Sequence, residues 1–172
     1  SPPLYKDMEV REYLKFVCKL HSVEKDKMEP YLDYAIKKLD LTSVENRLIG
    51  NLSKGYKQRV GVAQAIVFQP EIVILDEPTV GLDPNSVIEM RELIKELAQD
   101  HTVLLSSHLL HEAGLICDEV TIIKDGVLQA SGDMASISKK VKEKEAILAK
   151  VQSWQSSLES ELKKIEGVQK IE

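Results

Sequence analysis

The stretch IVILDEPTVGLDP, Ile72 to Pro84, decides how this chain reads. Ile72 to Leu75 is a short, continuous apolar run rich in β-branched residues. Such a run suits a strand covered on both faces, as in parallel α/β sheets. Two adjacent carboxylates, Asp76 and Glu77, follow at its C-terminal end, where open α/β sheets place their ligands. Asp83-Pro84 then opens a helix, a capping residue followed by proline at the first helical position. Ser86 with Glu89 offers an alternative capping box one turn later. Ile88, Leu93, Ile94 and Leu97 give that helix its expected buried side.

Upstream, the spacing of Met8, Val10, Tyr13, Leu14, Val17, Cys18 and Leu20 predicts a helix over 8–22. A second helix is expected over 28–39, with Tyr31, Leu32, Ala35, Ile36 and Leu39 on one face. Thr42 to Asn51 reads as a polar connection. Ser53 can cap a third helix reaching to about Phe68, which Pro70 closes because the residue before a proline avoids the α region. Downstream, Thr102 to Ser106 reads as a strand and Leu109 to Cys117 as a helix. Glu119 to Lys124 and Val127 to Ser131 flank Asp125-Gly126, a strong hairpin signal. Ser138 to Glu145 is dense in charge and reads as a linker. A β-α-β unit is then expected from a strand (146–151), a helix (153–165) and a strand (168–171).

The 172 residues carry 43% hydrophobic side chains, enough for a core, and a net charge of −5. That balance argues against a broad grip on nucleic acid, which needs a basic surface. Cys18 and Cys117 lie in apolar surroundings and read as reduced core residues. No metal-ligand spacing of histidine and cysteine occurs. No apolar run approaches the ~20 residues that span a bilayer.

Phosphoryl transfer to water needs a divalent ion to neutralise charge and a group to orient the water. Adjacent carboxylates at a strand end can divide those tasks, Asp76 holding Mg²⁺ through a water and Glu77 acting as base. Alone, such a pair is more often a solvated strand terminus. Leu52-Ser53-Lys54-Gly55-Tyr56-Lys57 places a serine and a glycine at a helix start, where unpaired N–H groups and the helix dipole attract an anion. His108, after Ser106-Ser107 at a strand end, can donate to a phosphate oxygen. Asp83 serves as a helix cap and, in a paired enzyme, reaches the opposite subunit. His21, His101 and His111 read as surface or packing residues.

Taken in order, LSKGYKQR (52–59), IVILDEP (72–78), GLDP (81–84) and SSH (106–108) resemble the signature, Walker B strand, D-loop and switch-histidine loop of ABC-type ATPases. PLYKDMEVREYL resembles the segment after the Q-loop in the ABC-2 type export branch, and DEVTIIKDGVLQASGD resembles the closing hairpin of the same domain. Lys54 replaces the first signature glycine. The resemblance implies an α/β fold, a partial P-loop NTPase (RecA-like) parallel sheet with a helical subdomain. Its expected divisions are 1–50 (helical subdomain), 51–135 (ATPase core) and 136–172 (linker and accessory segment). It implies ATP and Mg²⁺ as cofactors and a head-to-tail dimer of nucleotide-binding domains. Ser53, Lys54, Gly55 and Asp83 would meet ATP held by the partner; Asp76, Glu77 and His108 would serve ATP held by their own domain. Transmembrane permease subunits are the implied partners, nucleic acid is not, and the implied location is the cytoplasmic face of a cell membrane. A soluble ABC ATPase acting on ribosomes or DNA, and a non-hydrolysing binding module, are the competing readings.

G-x-x-x-x-G-K-[ST], the loop that wraps nucleotide phosphates, occurs nowhere in the 172 residues. The expectation is a fragment, or a nucleotide held by another chain. In the family fold the strand entering that loop lies beside the strand ending at the switch histidine. Without it the sheet is left open, with costly unpaired backbone groups. The chain is therefore expected to rearrange, pair with a copy of itself, or be poorly stable. Sedimentation across a concentration series tests this, and a stable, cooperatively melting monomer without extra strand pairing counts against it.

Overall fold

The computed structural model describes residues 3–141 and 161–162. The chain divides into two compact units, Ser1–Met134 and Ala135–Glu172. In the first, α1 (Val10–Leu20) buries Val10, Tyr13, Leu14, Val17 and Cys18, the helical spacing of the sequence. Its N-cap, Glu9, makes no side-chain cap bond. The first amides are satisfied instead by the connection downstream: Val10 N–H donates to Arg47 O (3.2 Å) and Arg11 N–H to Glu45 O (2.9 Å). The stretch expected as a polar connection is thus a built part of the helix start. It contains two 3₁₀ turns, Thr42–Val44 and Ile49–Asn51, and buries Val44 and Ile49.

The helix α2 (Lys25–Lys38) begins earlier than expected, because its first turn is purely charged and carries no apolar period. The side chain of Arg11 ties the two helices and the connection together, donating to Glu29 (2.8 Å), Asp33 (2.7 Å) and Glu45 (2.8 Å). Those three carboxylates hold its guanidinium firmly charged. Next, α3 (Lys54–Ile66) buries Val60, Val62, Ala63 and Ile66.

No break in packing falls at residue 50. One hydrophobic interior joins Leu14, Leu32 and Leu39 with Val60, Ile66, Val73 and Ile94. Two polar clamps add to it. Tyr34 Oη and Lys38 Nζ both donate to Asp100 (3.0 and 3.1 Å). Arg59 donates to Asp40 (3.1 Å), to Leu39 O (3.4 Å) and to Glu89 (2.6 Å).

The strands β1 (Ile72–Asp76) and β2 (Thr102–Ser106) pair in parallel with Ile72 opposite Thr102 and Asp76 opposite Ser106. Between them runs α4 (Pro84–Leu97), the crossover helix that a parallel pair requires. It buries Met90, Ile94 and Leu97; Ile88, expected on that side, is exposed. Position 88 lies about 140° around the helix from the midpoint of Met90 and Ile94, so the true buried stripe leaves it facing out.

The expected two-sided cover of β1 is not found. Val73 and Leu75 face the core, but Ile72, Ile74 and Leu104 are 60%, 69% and 61% exposed. The register places all three on one face. A continuous apolar run reads the same whether one face or both is covered, and no element among the described residues covers this one. Leaving such side chains in water forgoes roughly 1.5–3 kcal/mol each. The sheet is open as well: among the described residues β1 and β2 pair only with each other.

After β2 come α5 (Leu110–Ile116) and an antiparallel hairpin, β3 (Val120–Lys124) and β4 (Val127–Gly132). Asp125 (φ 52°) and Gly126 (φ 75°) form its two-residue turn, both in the left-handed region that such a turn demands. Both cysteines are free; Cys18 is buried in α1, while Cys117 ends α5 half-buried. His101 is buried and its Nδ1–H donates to Pro70 O (2.7 Å); His21 stacks on Phe68 at 3.7 Å between centroids.

The helix α6 (Met134–Val141) occupies the first half of the stretch read as a linker. Lysine is a good helix former, so charge density alone does not end a helix. The expected strands over 146–151 and 168–171 lie outside the described residues, as does the helix over 153–165 apart from residues 161 and 162, which are helical.

Burial, followed by the bond to Asp100, pushes the Tyr34 phenol up to about 12 from its ordinary 10.0. A raised value means that the folded state holds the proton more tightly. This contribution is complete below pH 10 and is lost as pH rises through about 12. Apart from the burial-raised phenol of Tyr13, a tyrosinate absorbance titration should show a late-ionising phenol that Tyr34→Phe removes. Asp100→Asn should lower its value while burial keeps it above 10.

Candidate functional site

Two clusters gather every residue singled out from the sequence, and the turn 78–82 separates them. The first sits at the C-terminal ends of β1 and β2. Because Asp76 and Ser106 are in register, their side chains meet: Ser106 Oγ–H donates to Asp76 Oδ1 at 2.5 Å. The same hydroxyl accepts the backbone N–H of Glu77 at 3.1 Å. Glu77 itself adopts φ 48°, the left-handed region, which costs a side-chain-bearing residue roughly 1–2 kcal/mol.

That turn carries the Glu77 carboxylate across to the loop after β2. Its Oε1 accepts the backbone N–H of His108 (3.0 Å) and lies 2.8 Å from His108 Nδ1. An ionised carboxylate can only accept, so Nδ1 carries the proton. The other oxygen, Oε2, is buried and has no hydrogen-bond partner among the described residues. One oxygen of Glu77 is thus held by two donors, and the other is left without a partner among the described residues. His108 is exposed, its ring open to a ligand.

The second cluster is made of two helix starts lying side by side. Ser53 caps α3, its Oγ accepting Tyr56 N–H at 3.3 Å. Asp83 caps α4: Oδ1 accepts Ser86 N–H (3.1 Å) and Oδ2 accepts Ser86 Oγ–H (2.6 Å). The Ser86 hydroxyl, then its backbone N–H, hold the Asp83 carboxyl below its ordinary value. Ser86, not Glu89, completes this cap, so the alternative capping box does not form. A Cβ on Gly55 would stand 3.3 Å from Ser86 Oγ, so glycine lets the two helix starts approach. A Cβ on Gly81 (φ 71°) would stand 2.0 Å from Lys54 Nζ, so Lys54 lies directly over the turn before Asp83.

The two lysines of the stretch 52–59 differ in kind. Lys57 Nζ donates to Gly50 O at 2.9 Å and is committed to the fold. Lys54 is exposed. Arg59 is the residue whose work the sequence did not reveal: one side chain bonds Asp40 after α2 and Glu89 on α4 while standing on α3. Only its position within LSKGYKQR hinted at a role.

The cofactors suggested by the sequence fit these residues. Among the described residues no three acidic, histidine or cysteine side chains gather as a metal cage. Mg²⁺ is commonly held by one or two carboxylates, waters and substrate phosphates, and Asp76 at a strand end suits that mode. The buried, unpartnered Glu77 Oε2 suits a polar group entering beside it. Exposed donors at the capped start of α3 suit a phosphate.

The ABC transporter family matches residues 2–80. An uncharacterised ABC transporter ATP-binding protein of Bacillus subtilis, YxlF, is 35% identical over 79% of this chain and 46% of its own length. The bacitracin transport ATP-binding protein BcrA of Bacillus licheniformis is 39% identical over 74% of this chain and 41% of its own. The solved structure of cbiO1 from Clostridium perfringens, part of the ABC transporter complex cbiONQ, superposes with a TM-score of 0.73 at 27% identity, covering 81% of this chain and 56% of that one. The chain spans about half the length of these relatives. Motif order, strand-end carboxylates and a crossover-linked parallel pair agree with these similarities, which support an ABC-type nucleotide-binding domain, and the chain carries part of its P-loop NTPase fold.

Proposed function

We propose that this chain is the signature-and-switch part of the ATP-hydrolysing subunit of an ABC transporter, an exporter. The observation that carries this reading is the pair of clusters. Glu77, His108 and Asp76 share one strand-end site, and Ser53, Gly55 and Asp83 share another at two adjacent helix starts. In a head-to-tail dimer the first serves the nucleotide of its own subunit and the second that of the partner.

Within the first cluster His108 holds Glu77 Oε1, which leaves Oε2 to take the proton of the attacking water. Asp76 would hold Mg²⁺ through a water; when bound, the ion neutralises charge on the phosphates. Ser53, Lys54 and the N–H groups of α3 would contact the terminal phosphate across the dimer. The chain contains no phosphate-wrapping loop, so by itself it does not turn over ATP.

Permease subunits are the proposed membrane partners, holding the protein at the cytoplasmic face. No helix among the described residues is long and apolar enough to cross a membrane. The proposed permease surface is a hollow of about 340 Å³ lined by Tyr5, Phe16, Leu20, His21 and Phe68. Tyr5 packs on Phe16 (5.7 Å between centroids) and remains 60% exposed, an aromatic wall suited to an amphipathic helix. The relative named for bacitracin transport supports a transport role. The net charge of −5 disfavours nucleic acid.

In a complete subunit carrying this chain, Glu77→Gln should lower ATP hydrolysis by about 100-fold or more while ATP-driven dimerisation persists. Unchanged hydrolysis would remove Glu77 as the base. The purified 172-residue chain alone should show no turnover; a normal rate would refute the division of labour. Leu20→Asp should abolish co-purification with the permease and leave the fold intact by circular dichroism. Retained co-purification would move the docking surface elsewhere.

A further inference from the structure

We propose that Ser106 is a positioning residue that sets the geometry of the Glu77 turn; this rests on the reading of Glu77 as the base. The sequence shows Ser106 only as the last residue of a strand and the first of the SSH motif, with no role of its own. The structure places its hydroxyl between both carboxylate residues. The proton of Oγ goes to Asp76 Oδ1 (2.5 Å), so the lone pairs of the same oxygen face the Glu77 amide (3.1 Å). A hydroxyl can do both at once, whereas a carboxylate can only accept and an ammonium can only donate.

The direction of one bond therefore fixes the other. Asp76 takes the Ser106 hydrogen bond, and the hydroxyl oxygen is left as an acceptor aimed at Glu77 N–H. That amide belongs to the residue with φ 48°, a conformation that needs outside support to persist in a non-glycine residue. The turn in its place carries Glu77 Oε1 to His108 and leaves Oε2 unpartnered. Without the hydroxyl the Glu77 amide loses its acceptor, and the left-handed turn loses its tie to β2. Ser106 touches neither the water nor the phosphate in this account; it acts through Glu77. It also bridges the Asp76 carboxylate and the Glu77 amide, adding a side-chain tie to the peptide bond that already joins the two residues.

Threonine keeps the hydroxyl and valine replaces it with a methyl group of nearly the same shape, and both suit a strand. The first measurement is amide hydrogen exchange at Glu77 in the 172-residue chain. Ser106→Val should exchange about tenfold faster than wild type, and Ser106→Thr at the wild-type rate. The second is ATP hydrolysis in a complete subunit: Ser106→Val should lower kcat about tenfold with KM for ATP little changed, and Ser106→Thr should restore it. Equal exchange at Glu77 in the Thr and Val variants overturns the proposal. Wild-type kcat in Ser106→Val, where Glu77→Gln is inactive, overturns its catalytic part. Wild-type hydrolysis in Glu77→Gln overturns the base assignment instead, and the exchange measurement still decides whether Ser106 holds the turn.

Discussion

The parallel pairing of β1 with β2 is the constraint on which the site depends. It sets Asp76 opposite Ser106, so the two strands end level and the chain leaves both at the same place. Glu77 and His108 emerge side by side only because of that register. A slip of one residue would turn Asp76 from the bare face towards the core and separate Glu77 from His108, since side chains alternate with a period of two. The crossover through α4 keeps the strands parallel, and the same helix presents Asp83 at its start.

Capping chemistry builds the second cluster. Ser53 and Asp83 each satisfy a helix amide, which is reason enough for their presence. Their helix starts are also brought together, with Gly55 against Ser86 and Lys54 over Gly81. The bonds that end each helix thus fix the spacing of the groups offered to a ligand. The two lysines show how little residue type alone decides: Lys57 is spent on Gly50 O, while Lys54 remains at the surface.

Much of the fold was legible because its signals are local. A cap followed by proline, a β-branched run and an Asp-Gly turn each act within a few residues, and α4, both parallel strands and the hairpin follow from them. The family motifs made Asp76, Glu77, His108, Ser53, Lys54, Gly55 and Asp83 visible. What escaped depends on distant partners. Nothing near Ile74 tells that one face of its strand is bare, because cover is supplied from elsewhere. The role of Arg59 requires Asp40 and Glu89 to be neighbours, and that of Ser106 requires the strand register. The connection from Thr42 to Asn51 looked featureless because its work is done by backbone carbonyls, which carry no sequence signature.

The unbroken interior shared by α1, α2, α3 and β1 has a mechanical meaning. Close-packed apolar interiors are stiff and transmit strain rather than absorb it. A push on the aromatic hollow at Tyr5 and Phe16 is not taken up by a hinge near residue 50, because the packing there is continuous. The same interior continues into α3, whose start carries Ser53, and Gly55 lies against Ser86 at the start of α4. The helices between the hollow and the capped helix starts form one packed body, with no gap in the apolar interior to separate the two.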